Sequence, residues 1–319
     1  MRVKIFLAAL ALCAAFLLKP VLFPGPELRV EIPEGSGASS TAALLAREQV
    51  ISSPLAFKIL AKVSGSEHRL IPGVYLLKKG MGSFESLRRI REGRSERAKI
   101  VIPEGFMAAQ IALRLEASGV CPAQDFLKYV RANNLEGYLF PATYSLDQGL
   151  DAQEAAHRMH ERFRRAVEPE FSSSPQKRFT LAQALALASI VQREARRSSE
   201  MPMIAAVYIN RLNRRMRLQA DPTVQYALGR ESGEWKKELS RADLKLFSKY
   251  NTYEYYGLPP GPICSPGLEA FQAVLSPAQT DAIYFVADNA GGHIFSRTNE
   301  EHSAARIRIR RETRRSKRQ

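Results

Sequence analysis

Glu194 is the residue whose type and placement most invite chemistry. It closes residues 180–197, TLAQALALASIVQREARR, in which Leu181, Leu185, Leu187, Ala188, Ile190 and Val191 recur at helical spacing. At about 100° per residue, Glu194 falls roughly 20° from Leu187 and roughly 40° from Ile190, on the apolar side. A carboxyl withdrawn from water holds its proton to higher pH, so it can give and take protons near neutrality. Gln192, Arg193, Arg196 and Arg197 can take the solvated positions, so Glu194 is not needed for solubility; the competing reading is a helix-end Glu paired in water to Arg193 or Arg197. Thr180 followed by Gln183 forms a capping box, so the helix starts there.

Further polar groups follow. Residues 215–229, RMRLQADPTVQYALG, set Gln219, Asp221 and Thr223 around an Asp-Pro turn, an amide, an anion and a hydroxyl of the kind that bind sugar rings. Residues 249–271, KYNTYEYYGLPPGPICSPGLEAF, bring Tyr250, Asn251, Thr252, Tyr253, Tyr255 and Tyr256 ahead of a Pro/Gly-rich loop, 257–267, suited to a rigid site wall. For any single tyrosine, core packing is the commoner explanation. A helix starts after Ser265-Pro266-Gly267, and residues 282–296, AIYFVADNAGGHIFS, read as a hairpin turning at 288–292. Glu136, in EGYLFP at 136–141, is a candidate second carboxylate or a satisfied turn residue.

The elements that carry these groups are partly duplicated. Residues 30–57 and 101–126 share the IPEG pattern, with Gly35, Leu45 and Val50 answered 70 residues later by Gly105, Leu115 and Val120. IPGVYLL at 71–77 matches FPATYSL at 140–146. Each copy reads as strand, turn, two helices and a strand entered through Pro72 or Pro141. A Pro/Ser-rich break, VEPEFSSSPQK at 167–177, separates the copies from the last domain.

Compartment is read from the N-terminus. Arg2 and Lys4 precede IFLAALALCAAFLL, Lys19 and PVLF, an apolar stretch of bilayer-crossing length without a cleavage site, so an uncleaved anchor is expected. The net charge of +15 favours an anionic partner, yet residues 303–319 alone hold eight Arg or Lys against one Glu, read as a solvated, disordered tail. Cys13, Cys121 and Cys264 give neither a disulfide framework nor metal spacing, and a Cys121–Cys264 bridge is left open. His157, His160 and Glu161 share a helical spacing without a partner elsewhere, and no metal or other cofactor is expected.

LASIVQREA, RLQADPTVQYALG, YNTYEYYGLPPGPICSPG, YFVADNAGGHIF, LEGYLFPATYSL and the two IPEG segments together resemble the bacterial endolytic murein transglycosylases, the YceG-like family, over residues 30–302. The resemblance implies a membrane-anchored lyase that cuts peptidoglycan between N-acetylmuramic acid and N-acetylglucosamine, leaving 1,6-anhydro ends. It places the catalytic acid on Glu194, with Gln219, Asp221, Thr223, Tyr250, Asn251, Thr252 and Tyr253 expected to bind substrate. Two departures are Gln192, where the family usually has Glu, and Ala142, where it often has Asp. A single carboxyl suffices when the sugar's own 6-hydroxyl is the nucleophile, whereas hydrolases need two.

The expected fold class is α+β: a membrane anchor at 1–25, two small LysM-like units at 30–98 and 99–166, a linker at 167–178, a catalytic domain at 179–302 and a basic tail at 303–319. Expected partners are peptidoglycan strands, the membrane through residues 5–23 and peptidoglycan synthases, with the catalytic domain on the periplasmic side of the inner membrane. The alternative from another class is a non-catalytic peptidoglycan-binding scaffold. A nucleic-acid binder is disfavoured because the basic tail lacks a base-stacking platform.

Overall fold

The computed structural model describes residues 25–67, 69–93, 97–175 and 178–316. It is mixed α+β, with three two-stranded sheets among the described residues. The expected anchor lies outside the described residues apart from Gly25, and none of the described helices is long and apolar enough to cross a membrane. The chain divides into two compact units, one comprising residues up to Lys99 with 118–121 and 145–151, the other 100–117, 122–144 and 152 onward.

In the first unit β1 (Glu27–Ile32) pairs antiparallel with β2 (Gly73–Lys78), Glu27 opposite Lys78 and Ile32 opposite Gly73. Alternation puts Val30, Ile32, Tyr75 and Leu77 inward. There they meet Leu45 from α1 (Ala38–Arg47), Phe57 from α2 (Pro54–Val63) and Ile90 from α3 (Ser83–Arg91). The second copy supplies β3 (Arg97–Val101), α4 (Ala108–Ala117), α5 (Ala123–Ala132) and β4 (Thr143–Asp147), in the same order. The repeat is physical: Leu45, Val50 and Phe57 are fully buried, as are Leu115, Val120 and Phe126. The repeated tyrosine even makes the same bond, Tyr75 Oη donating to Ile71 O and Tyr144 Oη to Phe140 O, each at 2.6 Å. Most of the second copy nevertheless shares a compact unit with the Glu194 segment, rather than standing alone.

The expected linker is largely helical, because α6 runs from Ala152 to Ser173 through Pro169. Composition suggested a break, but Val167 is buried and the Phe171 ring packs on Phe271 at 6.5 Å, which holds the segment in place. The described part of the basic tail is also ordered. It belongs to α11 (Asn299–Ser316), with Ala305 buried, His302 stacked on Tyr284 at 5.2 Å and Thr313 Oγ1 donating to Asn289 Oδ1 at 2.9 Å.

The core of the second unit surrounds α7 (Leu181–Glu194), against which α8 (Met201–Asn213) and α10 (Leu268–Leu275) pack. Every residue from Ala184 to Val191 is buried, so this helix is enclosed on all sides rather than along one stripe. Its start is the capping box: Gln183 N donates to Thr180 Oγ1 at 3.3 Å and Thr180 N to Gln183 Oε1 at 2.9 Å. Thr180→Ala is expected to lower unfolding stability by about 1 kcal/mol, read as a shifted denaturant midpoint with an unchanged slope.

Candidate active site

Glu194 is the last residue of α7, and Ala195 turns the chain into extended backbone. Its carboxyl is half-buried and accepts a 2.8 Å hydrogen bond from Tyr208 Oη of α8. Burial pushes it up to about 7. The Tyr208 bond opposes the shift, nearby Asp221 adds to it, and Arg211 and Arg193 pull it down. Neither Arg193 nor Arg197 takes it up in water. Arg193 lies over the Trp235 ring at 4.1 Å and Arg197 bonds the Ala290 carbonyl.

Tyr208 and Arg211, one helical turn apart, are functional candidates that the sequence did not reveal. Tyr208 is buried edge-on against Phe285, so its hydroxyl must find a partner, and Glu194 is that partner. Arg211 is buried and donates through Nε to Ile283 O at 2.7 Å and through Nη1 to Leu218 O at 2.6 Å, tying the hairpin and the 218–223 turn to the helix that faces Glu194. The hairpin itself, β5 (Tyr284–Ala287) with β6 (His293–Ser296), is tied from the other side by Glu200, which accepts from His293 N at 2.7 Å and contacts Nδ1 at 2.9 Å.

The expected sugar-binding residues divide by direction. Thr223 and Thr252 are buried with their hydroxyls 2.9 Å apart; Thr252 Oγ1 also accepts from Ala220 N and Thr223 Oγ1 donates to Ala220 O. Asn251 is buried too, donating to the Leu244 and Leu246 carbonyls and accepting from Tyr253 N. These three spend their polar atoms on the backbone and shape the loops instead of facing solvent. Gln219 and Asp221 are exposed; Gln219 holds a φ of +49° with its N–H on Thr252 O, and Tyr253 Oη donates to Asp221 Oδ1. Tyr250, partly exposed, packs on Tyr226 of α9 (Asp221–Gly229) at 4.9 Å, with the Arg230 guanidinium 5.8 Å from its ring.

Glu136 is drawn into this cluster. Its Oε1 accepts from Ala108 N at the start of α4 at 3.0 Å and its Oε2 from Tyr226 Oη at 3.1 Å, while burial raises it to about 7. Gly137, at φ +82°, lets Pro262 approach where a Cβ would lie 2.3 Å from the proline ring. The Pro/Gly-rich loop is fixed to α7 by Ile263 N donating to Ser189 Oγ at 3.0 Å and Gly267 N to Gln192 Oε1 at 2.8 Å. Gln192 is therefore a loop anchor rather than a solvated residue. A Glu there could accept the same bond, which makes the departure at this position compatible with the fold. Cys264 is a buried thiol that is not bridged to Cys121, which is buried as well. Among the described residues no three His, Cys, Asp or Glu gather as metal ligands would. His157 instead contacts Tyr129 Oη, and His160 lies among the rings of Tyr138 and Phe163.

The YceG-like family model matches residues 30–308. The chain belongs to the YceG-like family. A crystal structure of a YceG-like protein from Listeria monocytogenes superposes with a TM-score of 0.60 at 32% identity, covering 88% of this chain and 99% of that one. Similar relatives include an endolytic murein transglycosylase of Bacillus subtilis, 32% identical over 88% of this chain and 84% of the relative. Another is an endolytic murein transglycosylase of Streptococcus pneumoniae strain D39, 29% identical over 85% of this chain but 56% of the relative.

Proposed function

We propose that this chain is a lytic transglycosylase that cleaves the bond between N-acetylmuramic acid and N-acetylglucosamine inside peptidoglycan strands, leaving 1,6-anhydro ends and stopping the growth of nascent strands. The relatives' activity supports the reaction class. The observation that carries the mechanism is Glu194, held on Tyr208 and raised to about 7, so that both of its protonation states are populated near neutral pH.

Protonated Glu194 gives its proton to the glycosidic oxygen as the C1–O bond breaks. The resulting carboxylate takes the proton of the muramic 6-hydroxyl as that oxygen bonds to C1. The net change moves one proton from O6 to the departing oxygen and consumes no water, so one carboxyl is enough. Exposed Gln219 and Asp221, with partly exposed Tyr250 and Tyr253, are the proposed sugar contacts. Thr223, Asn251 and Thr252 hold the loops that carry them.

Residues 5–23 anchor the chain in the cell membrane, the LysM-like repeats at 30–98 and 99–166 hold or space the glycan, and residues 179–302 act on the extracytoplasmic side. Peptidoglycan synthases, which make the strand being cut, are the proposed partner class. The test is digestion of purified sacculi with products resolved by mass: anhydro-ended muropeptides are expected, and their absence refutes the enzyme reading in favour of a scaffold. Tyr208→Phe removes the donor that favours the carboxylate, so the alkaline limb of the pH–rate profile is expected to move up by about one pH unit. An unmoved limb would detach Tyr208 from the acid.

A further inference from the structure

The first unit carries an apolar face that the packing of its own core leaves open. Along α2, Leu55, Ile59 and Val63 recur every fourth residue and are 63%, 50% and 83% exposed; Phe84 at the start of α3 is 61% exposed. Lone exposed apolar residues are common, but three spaced four apart along one helix, with a fourth at the start of the helix packed beside it, are not. Exposed Lys58 and Lys62 interleave with the stripe. The nearby acid on α3, Glu85, is already neutralised by Arg88 and Arg89 at 2.8 and 3.0 Å.

The position of this face relative to the start of the described chain names its occupant. Gly25 N donates to Lys79 O at 2.8 Å, Gly80 N to Gln49 O at 2.9 Å, Gly82 N to Val50 O at 3.2 Å and Ser83 Oγ to Ser53 O at 3.4 Å. These bonds gather Gly25, the 79–82 turn, the 49–53 loop and the first turns of α2 and α3 at one end of the unit. Leu55 and Phe84 lie two residues and one residue beyond the last of these contacts. Only residues 24–26 separate Phe23, the last residue of the apolar stretch, from β1. Extended, they span at most roughly 14 Å, so this end of the unit is held at the surface that the stretch enters.

From this geometry we infer that the α2–α3 end of the first unit is a membrane footing: Phe84, Leu55 and Ile59 enter the interfacial layer of the bilayer, and Lys58, Lys62 and Lys79 meet anionic lipid headgroups. The inference rests on the proposed anchor and adds to it a defined resting face, which fixes how the unit is carried above the membrane.

The test uses the full chain with Cys13→Ser, reconstituted into vesicles containing phosphatidylglycerol, since Cys121 and Cys264 are buried. A polarity-sensitive fluorophore is placed in turn at Leu55→Cys, Phe84→Cys and, as control, Glu34→Cys, which lies beyond the far end of β1, roughly 20 Å along the strand. The labels at 55 and 84 are expected to shift to the blue, to be quenched by nitroxide lipid and to be at least about threefold less accessible to aqueous iodide than the label at 34. Protein that floats with the vesicles while all three labels are equally accessible overturns the footing and leaves the anchor standing. Protein that fails to float overturns the anchor and the footing with it.

Discussion

Replacing Glu194 by Gln is expected to lower the rate of anhydro-product formation by about 1,000-fold or more, while strand binding and folding persist. General acid–base catalysis by one group contributes about 100- to 10,000-fold, and here the same carboxyl serves both the departing oxygen and the attacking hydroxyl. The amide keeps the Oε1 that accepts from Tyr208, so the geometry of the site survives and only the proton is lost. In the unaltered chain the rate should fall above about pH 7, because Glu194 titrates there and the ionised form cannot protonate the leaving group. Purified sacculi with product analysis by mass give the first readout, and kcat/KM across pH 5–9 gives the second. A variant that retains more than a tenth of the rate would remove Glu194 from the reaction.

The sequence made legible those features whose determinants are local. The capping box at Thr180 and Gln183 and the hairpin at 284–296 follow from spacings within short windows, and the duplicated unit from a local pattern that recurs 70 residues on. Helical register also led to Glu194, but for an incomplete reason: α7 is buried all round from Ala184 to Val191, so no single stripe marks its inner face. What withdraws the carboxyl is the end of the helix, where α8 supplies Tyr208. Features set by distant pairings stayed hidden. Arg211 reaches a carbonyl 72 residues away, and nothing in INRL announces it. Thr223, Asn251 and Thr252 have the chemistry of sugar ligands, yet a hydroxyl or amide satisfies a buried backbone just as well, and residue type cannot tell these apart. The Pro/Ser-rich stretch at 167–177 shows the same limit, since contacts of Val167 and Phe171 outweigh a helix-breaking composition through Ser173.

Folding stability should fall as pH rises from 5 to 8, and the carboxyls of Glu194 and Glu136 are the cause. Glu194 and Glu136 each titrate at about 7 in the folded chain against 4.5 as model groups. Between these values the native state binds more protons than the unfolded state, so raising the pH draws protons away at the native state's expense. Each group then withdraws up to about 3 kcal/mol of stability, which is present below pH 4.5 and gone above pH 7. Glu194→Gln, neutral at every pH and still accepting from Tyr208, should therefore match the parent at pH 5 and exceed it by about 2–3 kcal/mol at pH 8. Glu136→Gln should flatten the same slope but lose stability at pH 5. Ala108 N–H and Tyr226 O–H both donate to Glu136, and an amide offers only one acceptor oxygen to these two donors. Urea unfolding at pH 5, 6.5 and 8 decides the matter. A parent whose midpoint does not drop with pH, or a Glu194→Gln variant no more stable than the parent at pH 8, would mean that the carboxyl is ionised without cost, and the argument for a retained catalytic proton would fall with it.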